Sequence, residues 1–177
     1  MIADRIKENT MRTTIEALLV QWHRHPPTRQ GYLEAADRLG ACRRQPGGRS
    51  LWSRPPRMLT ATLDDGWGHG LEIIQALAEA AGVRVEPLGV LQKPDAVVAA
   101  CWREIPDLLG LTVLQFDSDD AVRHIRDHLP PATTLVAGGA AYHYDADFAK
   151  RTRTPFVAPS GAAFLRFLLN YDPSDKL

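Results

Sequence analysis

The chain has 177 residues, 21 Lys+Arg against 21 Asp+Glu and a formal net charge of zero, which suits one compact domain with an extension rather than two full domains. No apolar run approaches the roughly 20 residues of a membrane helix, and the polar start MIADRIKENT is unlike a secretory signal. Two cysteines, Cys42 and Cys101, are too few for a disulfide framework or a zinc quartet, so a reducing cytoplasm is the expected compartment.

The first two elements read as helices. Ile15, Leu18, Leu19 and Trp22 form an i, i+3, i+4, i+7 stripe, with Thr10, Thr13 or Thr14 available as a cap and His25-Pro26-Pro27 as the stop. Thr28 can cap a second helix, whose face carries Tyr32, Ala35, Ala36 and Leu39 and whose end fits Gly40. Residues 1–42 are thus expected to form a helical N-terminal extension, and 43–56, rich in Arg, Pro and Gly, a linker. Charge divides at the same place: residues 1–57 hold 11 Lys/Arg and 5 acids, a net +6, which leaves −6 for the rest. That split points to a basic segment appended to an acidic body.

From Met58 the pattern changes to alternating strands and helices. MLTATL reads as a strand, DDGWGHG as a Gly-rich turn, and LEIIQALAEAAG as a helix ended by Gly82. VRVEPLGVL is a strand that Pro87 weakens, and Pro94 opens the helix DAVVAACWREI. LLGLTVLQF is almost continuously apolar, as in a strand covered on both faces. DSDDAVRHIRDHL is a helix with acids in its first turn and His128 near its end. TTLVAGGAAY reads as a strand running through a glycine pair; DADFAKRTR, PFVAPS and GAAFLRFLLN follow as helix, strand and helix. Five strands alternating with five helices predict an α/β fold over residues 57–177, with a five-stranded parallel sheet covered on both faces. Ligands of such folds sit outside the carboxyl ends of the strands, here residues 64–70, 88–92, 115–118, 138–144 and 158–161.

The loop Asp64-Asp65-Gly66-Trp67-Gly68-His69-Gly70 is the most unusual segment, because three alternating glycines let a backbone pass close to a ligand at a helix start. A dinucleotide fingerprint needs a third glycine where Leu71 stands, so it fails. Asp64, Gly66, Gly68 and Gly70 match the D-x-G-x-G-x-G loop of class I methyltransferases, and Glu86 stands where those enzymes place a ribose-binding acid. This is similar to the S-adenosylmethionine-binding family over about 25 residues.

A longer likeness covers residues 57–170. Asp65-Gly66-Trp67-Gly68-His69-Gly70 stands where a D-G-H-x-x-G motif would be; Leu88-Gly89-Val90-Leu91-Gln92 and Pro94–Ala100 follow; Leu111-Thr112-Val113-Leu114 looks like an S-x-L strand; Gly138-Gly139 matches a G-G pair. In that order these segments resemble the cobalamin-binding domain of methylmalonyl-CoA mutase, methionine synthase and corrinoid methyl-carrier proteins. The resemblance implies a flavodoxin-like, Rossmann-like fold and a corrinoid whose nucleotide tail slots between sheet and helix. It gives Thr112 the role of hydrogen-bonding the tail's base, Gly138 and Gly139 that of leaving space, and Asp65, Gly66, Gly70 and Leu114 places around the cofactor. The family's histidine reaches cobalt from below; Trp67 occupies its position here, and indole nitrogen has no free lone pair for a metal. Three outcomes stay open: binding without a protein ligand, with Trp67 stacked on the corrin face or closing the slot; replacement by another group, for which His69, two residues on, is the candidate cobalt ligand; or loss of corrinoid binding.

Three further residues stand at strand ends. His143, between Tyr142 and Tyr144, follows the glycine pair and can contact the tail or a partner; Ser160 and Gly161 open the last helix, where a phosphate can sit. His124 and His128 share a helix face at metal-ligand spacing without a third ligand, and read as solvated. Isomerisation or methyl transfer needs a second, substrate-binding domain, for which 177 residues leave no room. The expected function is a stand-alone cobalamin-binding carrier, small subunit or sensor that is not catalytic alone and works with a separate protein partner. A homodimer stays open, and neither nucleic acid nor a membrane is expected as a partner. The alternatives are a small S-adenosylmethionine-dependent methyltransferase and a degenerate regulatory domain that binds only protein.

Overall fold

A computed structural model describes residues 2–48, 50–65 and 69–174, with side chains from residue 11 onward. Two helices, α1 (Ile2–Arg24) and α2 (Arg29–Arg44), precede the sheet. No Gly or Pro interrupts residues 2–24, so α1 runs through Thr10, Thr13 and Thr14 rather than starting at one of them. Thr28 caps α2 as expected, its Oγ1 accepting from Gly31 N at 3.2 Å. Gly40, expected at the helix end, lies buried inside α2, which continues to Arg44. It belongs with Ala35 and Ala36 to a strip of small residues that lets α2 lie close on the helix α3 (Gly70–Ala81).

The sheet contains β1 (Arg57–Thr62), β2 (Arg84–Gly89), β3 (Leu108–Thr112), β4 (Thr134–Gly138) and β5 (Phe156–Val157), all parallel in the order β2-β1-β3-β4-β5. This is the flavodoxin-like doubly wound sheet. Pro87 falls in the edge strand β2, opposite a register shift between Thr60 and Ala61, where its missing N–H costs no central ladder bond. The last strand is only two residues long, and β3 stops at Thr112, four residues before the predicted end at Phe116.

Helices cover both faces. Met58, Leu108 and Val136 point into one core with α1, α2, α3 and α8 (Gly161–Asn170). Leu59, Ala61, Leu109, Leu111, Leu135 and Ala137 point into the other, with α4 (Pro94–Glu104) and α5 (Asp119–His128). That second core also takes residues of α6 (Ala140–Tyr144) and α7 (Phe148–Thr152). Helix α6 occupies the stretch read as strand. The ladder ends at Gly138; Gly139, at φ 109°, turns the chain, and Tyr142 N and His143 N then both donate to Gly139 O. Residues 45–56, read as linker, are strapped to the body: Leu51 N donates to Ala81 O at 3.2 Å and Trp52 Nε1 to Tyr171 O at 2.7 Å. Trp52 is half-buried, with its ring edge-on to Tyr171.

Candidate functional site

The α3/α8 face of the sheet changes character along its length. Met58, Leu108 and Val136 fill it near one end; towards the carboxyl end the inward positions become Thr60, Thr62, Gly110, Thr112 and Gly138. Shrinking side chains leave a cavity of about 430 Å³ between the ends of β3 and β4 and the helices α3 and α8, within the range of small-molecule sites. Its walls include Gly70, Ile73 and Ile74 of α3, Thr112 of β3, Gly138 of β4, and Gly161 and Phe164 of α8.

Two polar features stand out. Thr112 is 6% exposed, and its hydroxyl, which makes no hydrogen bond to a described residue, is on the cavity wall. Beside it, Val113 N donates to Gly138 O at 2.8 Å and Ala141 N to Val113 O at 3.2 Å, which ties the glycine turn to β3. The glycines are demanded by backbone as well as by space. A Cβ on Gly138 would collide with the carbonyl oxygen of Ala158, and one on Gly139 with that of Val113, whose N would lie 2.9 Å away.

At the next strand end, Asp64 is 3% exposed and its Oδ2 accepts from Leu114 N at 2.7 Å, joining the ends of β1 and β3 where the strand order reverses. Its Oδ1 is buried without a hydrogen-bond partner. The chain following β2 is tied to the same point, Leu91 N donating to Asp64 O at 2.8 Å and Gln92 N to Thr62 O at 3.0 Å. Leu91 adopts φ 53° and is 66% exposed. With Phe116 and Tyr144, 52% and 76% exposed, it leaves large apolar side chains uncovered at the carboxyl end of the sheet.

Of the residues expected around a ligand, Gly70, Thr112, Leu114, Gly138, Gly139, His143, Ser160 and Gly161 line this cavity. Gly66 and Trp67 lie outside the described residues. Asp65 is exposed. His69 does not line the cavity; it occupies the αL residue that precedes α3, and its half-exposed ring lies 3.9 Å from Glu72, which itself pairs with Arg29. Ser160 caps α8, its Oγ accepting from Ala163 N at 3.1 Å. Residues that the sequence reading did not place at the site include Tyr32, Ile73, Val136 and Phe164. The side-chain size gradient along β1, β3 and β4 was a signal for the slot itself; nothing local in α2 announced Tyr32.

Elsewhere, His124 Nε2 lies 2.7 Å from Asp95 Oδ1 and stacks on His128 at 4.4 Å on the α4/α5 side. Among the described residues no three His, Cys, Asp or Glu side chains could hold a metal. Cys101 is buried among apolar neighbours, and burial pushes its thiol up to about 12, which makes it inert. No described helix is long and apolar enough to cross a membrane.

No protein-family model and no curated protein matches the chain. Solved structures share its fold. A novel cobalamin-binding protein from Desulfitobacterium hafniense DCB-2 is 16% identical with a TM-score of 0.69, over 96% of this chain and 90% of that one. The Methanosarcina barkeri monomethylamine corrinoid protein is 17% identical with a TM-score of 0.56, over 78% and 64%. A chain of the methanol:cobalamin methyltransferase complex from the same organism is 23% identical with a TM-score of 0.55, over 64% and 45%. The chain therefore has the flavodoxin-like fold found in these cobalamin-binding proteins, with its N-terminal helices included in the first comparison.

Proposed function

We propose that the chain is a cobalamin-binding protein that holds the corrinoid by its nucleotide tail and presents it to a separate protein partner. The observation that carries this reading is the slot at the carboxyl end of the sheet, where Thr112, whose hydroxyl makes no hydrogen bond to a described residue, lines a cavity bordered by the side-chain-free pair Gly138-Gly139. The residues present suit such a tail. Ile73, Ile74, Val136 and Phe164 offer an apolar bed for a flat base, and Thr112 can donate to or accept from its ring nitrogen. The N-capped start of α8 at Ser160-Gly161 lies on the same wall for the phosphate.

The cobalt of a bound corrinoid supplies methyl-transfer or radical-forming chemistry; the chain's part is to bind and orient. With Trp67 where the resemblance puts a histidine, that position would offer a bound cobalt no nitrogen lone pair. His69 is outside the cavity lining, at the αL residue before α3. The exposed Leu91, Phe116 and Tyr144 provide apolar surface on the side where the macrocycle and a partner would meet. The S-adenosylmethionine reading, which expects about seven strands, finds five in the described sheet.

The test is direct. Purified protein is incubated with hydroxocobalamin, desalted, and its visible spectrum recorded. Retention of corrinoid absorbance near one equivalent is expected; loss of all absorbance on desalting, with no heat on titrating hydroxocobalamin by calorimetry, would sink the reading.

A further inference from the structure

Among the described residues that line the slot, Tyr32 is the one supplied by the N-terminal hairpin. Its ring is fixed from three sides. Tyr32 N donates to Thr28 O at 3.1 Å within the capped first turn of α2, so the residue leaves the helix in a set direction. Trp22 stands behind it, edge-on at 5.0 Å and 76°. In front, a Cβ on Gly161 would lie 2.8 Å from Tyr32 Cε1 and 3.0 Å from Ile73 Cγ2, so α8 can begin there only because residue 161 has no side chain. Two separate elements, the cap of α2 and the first residue of α8, are thus shaped around one ring. The phenol hydroxyl makes no hydrogen bond to a described residue.

We infer that Tyr32 determines which lower base the slot accepts, and that the N-terminal hairpin is thereby part of the ligand site; the inference rests on the corrinoid reading above. With Tyr32 in place the walls are mainly apolar: Ile73, Ile74, Val136 and Phe164 form the bed, with the Thr112 hydroxyl, His143 and Ser160 as polar points. A benzimidazole carrying only methyl groups on its outer edge fits such walls. Against Ile73, Ile74, Val136 and Phe164 a purine's exocyclic amine or carbonyl meets no polar side chain, and a buried unpaired polar group is heavily penalised. Removing the ring opens the slot towards α2 and lets water accompany the polar edge.

The experiment compares three corrinoids: hydroxocobalamin, the corresponding cobamide with adenine as lower base, and hydroxocobinamide, which has no base. Equilibrium binding is measured on the whole chain and on Tyr32→Phe and Tyr32→Ala, with far-ultraviolet circular dichroism as the folding control. The unsubstituted protein should favour hydroxocobalamin over the adenine cobamide by about tenfold or more, the weight of one unpaired buried polar group. Tyr32→Phe should keep that ratio. Tyr32→Ala should narrow it to about threefold or less, with cobinamide affinity unchanged. An unchanged ratio in Tyr32→Ala, or an equal fall for all three corrinoids, overturns the inference while leaving the corrinoid reading intact. Binding of none of the three by the unsubstituted chain overturns that reading itself, and the inference with it. If Tyr32→Ala fails to fold, Tyr32→Val takes its place, since it keeps part of the apolar packing, still opens the slot towards α2 and carries the same expectation.

Discussion

Thr112 and Gly139 border the same cavity, yet substitution should separate what each does. Thr112→Val removes a hydroxyl that has no partner among the described residues and keeps the β-branched shape that suits β3. Stability should therefore stay level or rise slightly, while hydroxocobalamin affinity should fall by the worth of one hydrogen bond, about 0.5–1.5 kcal/mol. Gly139→Ala should do the reverse at its root: φ 109° and the approach to the Val113 carbonyl make any Cβ costly there, at about 1–3 kcal/mol for the backbone strain alone. Urea midpoints read beside corrinoid titrations distinguish the two. A Thr112→Val protein that binds hydroxocobalamin as tightly as its parent would remove the hydroxyl from the site. Gly138 is a poor reporter of ligand space for a related reason, since a larger residue there collides with Ala158 before any cofactor is considered.

At the scale of elements, the strands β1, β3 and β4 and their order of appearance were legible because unbroken apolar runs bounded by Gly, Pro and Asp leave few alternatives. Helix α6 was not, because Ala140-Ala141-Tyr142 continues the apolar run; the feature that breaks the strand is the φ of Gly139, which composition does not reveal. Once formed, that turn brings Asp145 beside Arg151 of α7, and Arg151 bridges on to Asp119 of α5 at 2.5 Å. Hydrogen bonds from Arg151 hold the Asp119 and Asp145 carboxyls below their usual range. A depressed carboxyl contributes stability above its unfolded value, about 3.9, and loses it as pH falls through the lower folded value. Arg151→Gln should accordingly unfold at lower urea than the parent at neutral pH, with the deficit shrinking below about pH 4 as both carboxylates take protons. A deficit of the same size in strongly acidic buffer would mean that Arg151 acts through its contact with the Phe148 ring instead.

The whole molecule revises what the charge division seemed to say about the basic segment. Four of its arginines are engaged within the chain: Arg29 with Glu72, Arg54 with Asp107, Arg57 with Glu86 and Glu104, and Arg12 Nη2 with the Leu169 carbonyl at 2.9 Å. Exposed pairs of this kind contribute little each, so apolar contact must do most of the joining. Ile15 and Leu39, 0% and 1% exposed, belong to the same core as Met58 and Leu108 of the sheet and Phe164 and Leu168 of α8. Sequence periodicity marked Ile15, Leu19, Trp22 and Leu39 as a buried face but could not say against what, because the partner surfaces lie in α3 for α2 and, more than 100 residues further along the chain, in α8 for α1. A shared core predicts shared unfolding. Ile15→Ala should cost about 2–5 kcal/mol, and native-state hydrogen exchange should show β1 and β3 amides losing the same protection free energy as those of α1 and α2. Were α1 and α2 an extension on a flexible tether, their amides alone would lose protection and the strands would keep theirs. That result would also detach Tyr32 from the slot, so the exchange pattern of one core variant tests the architecture on which base selection depends.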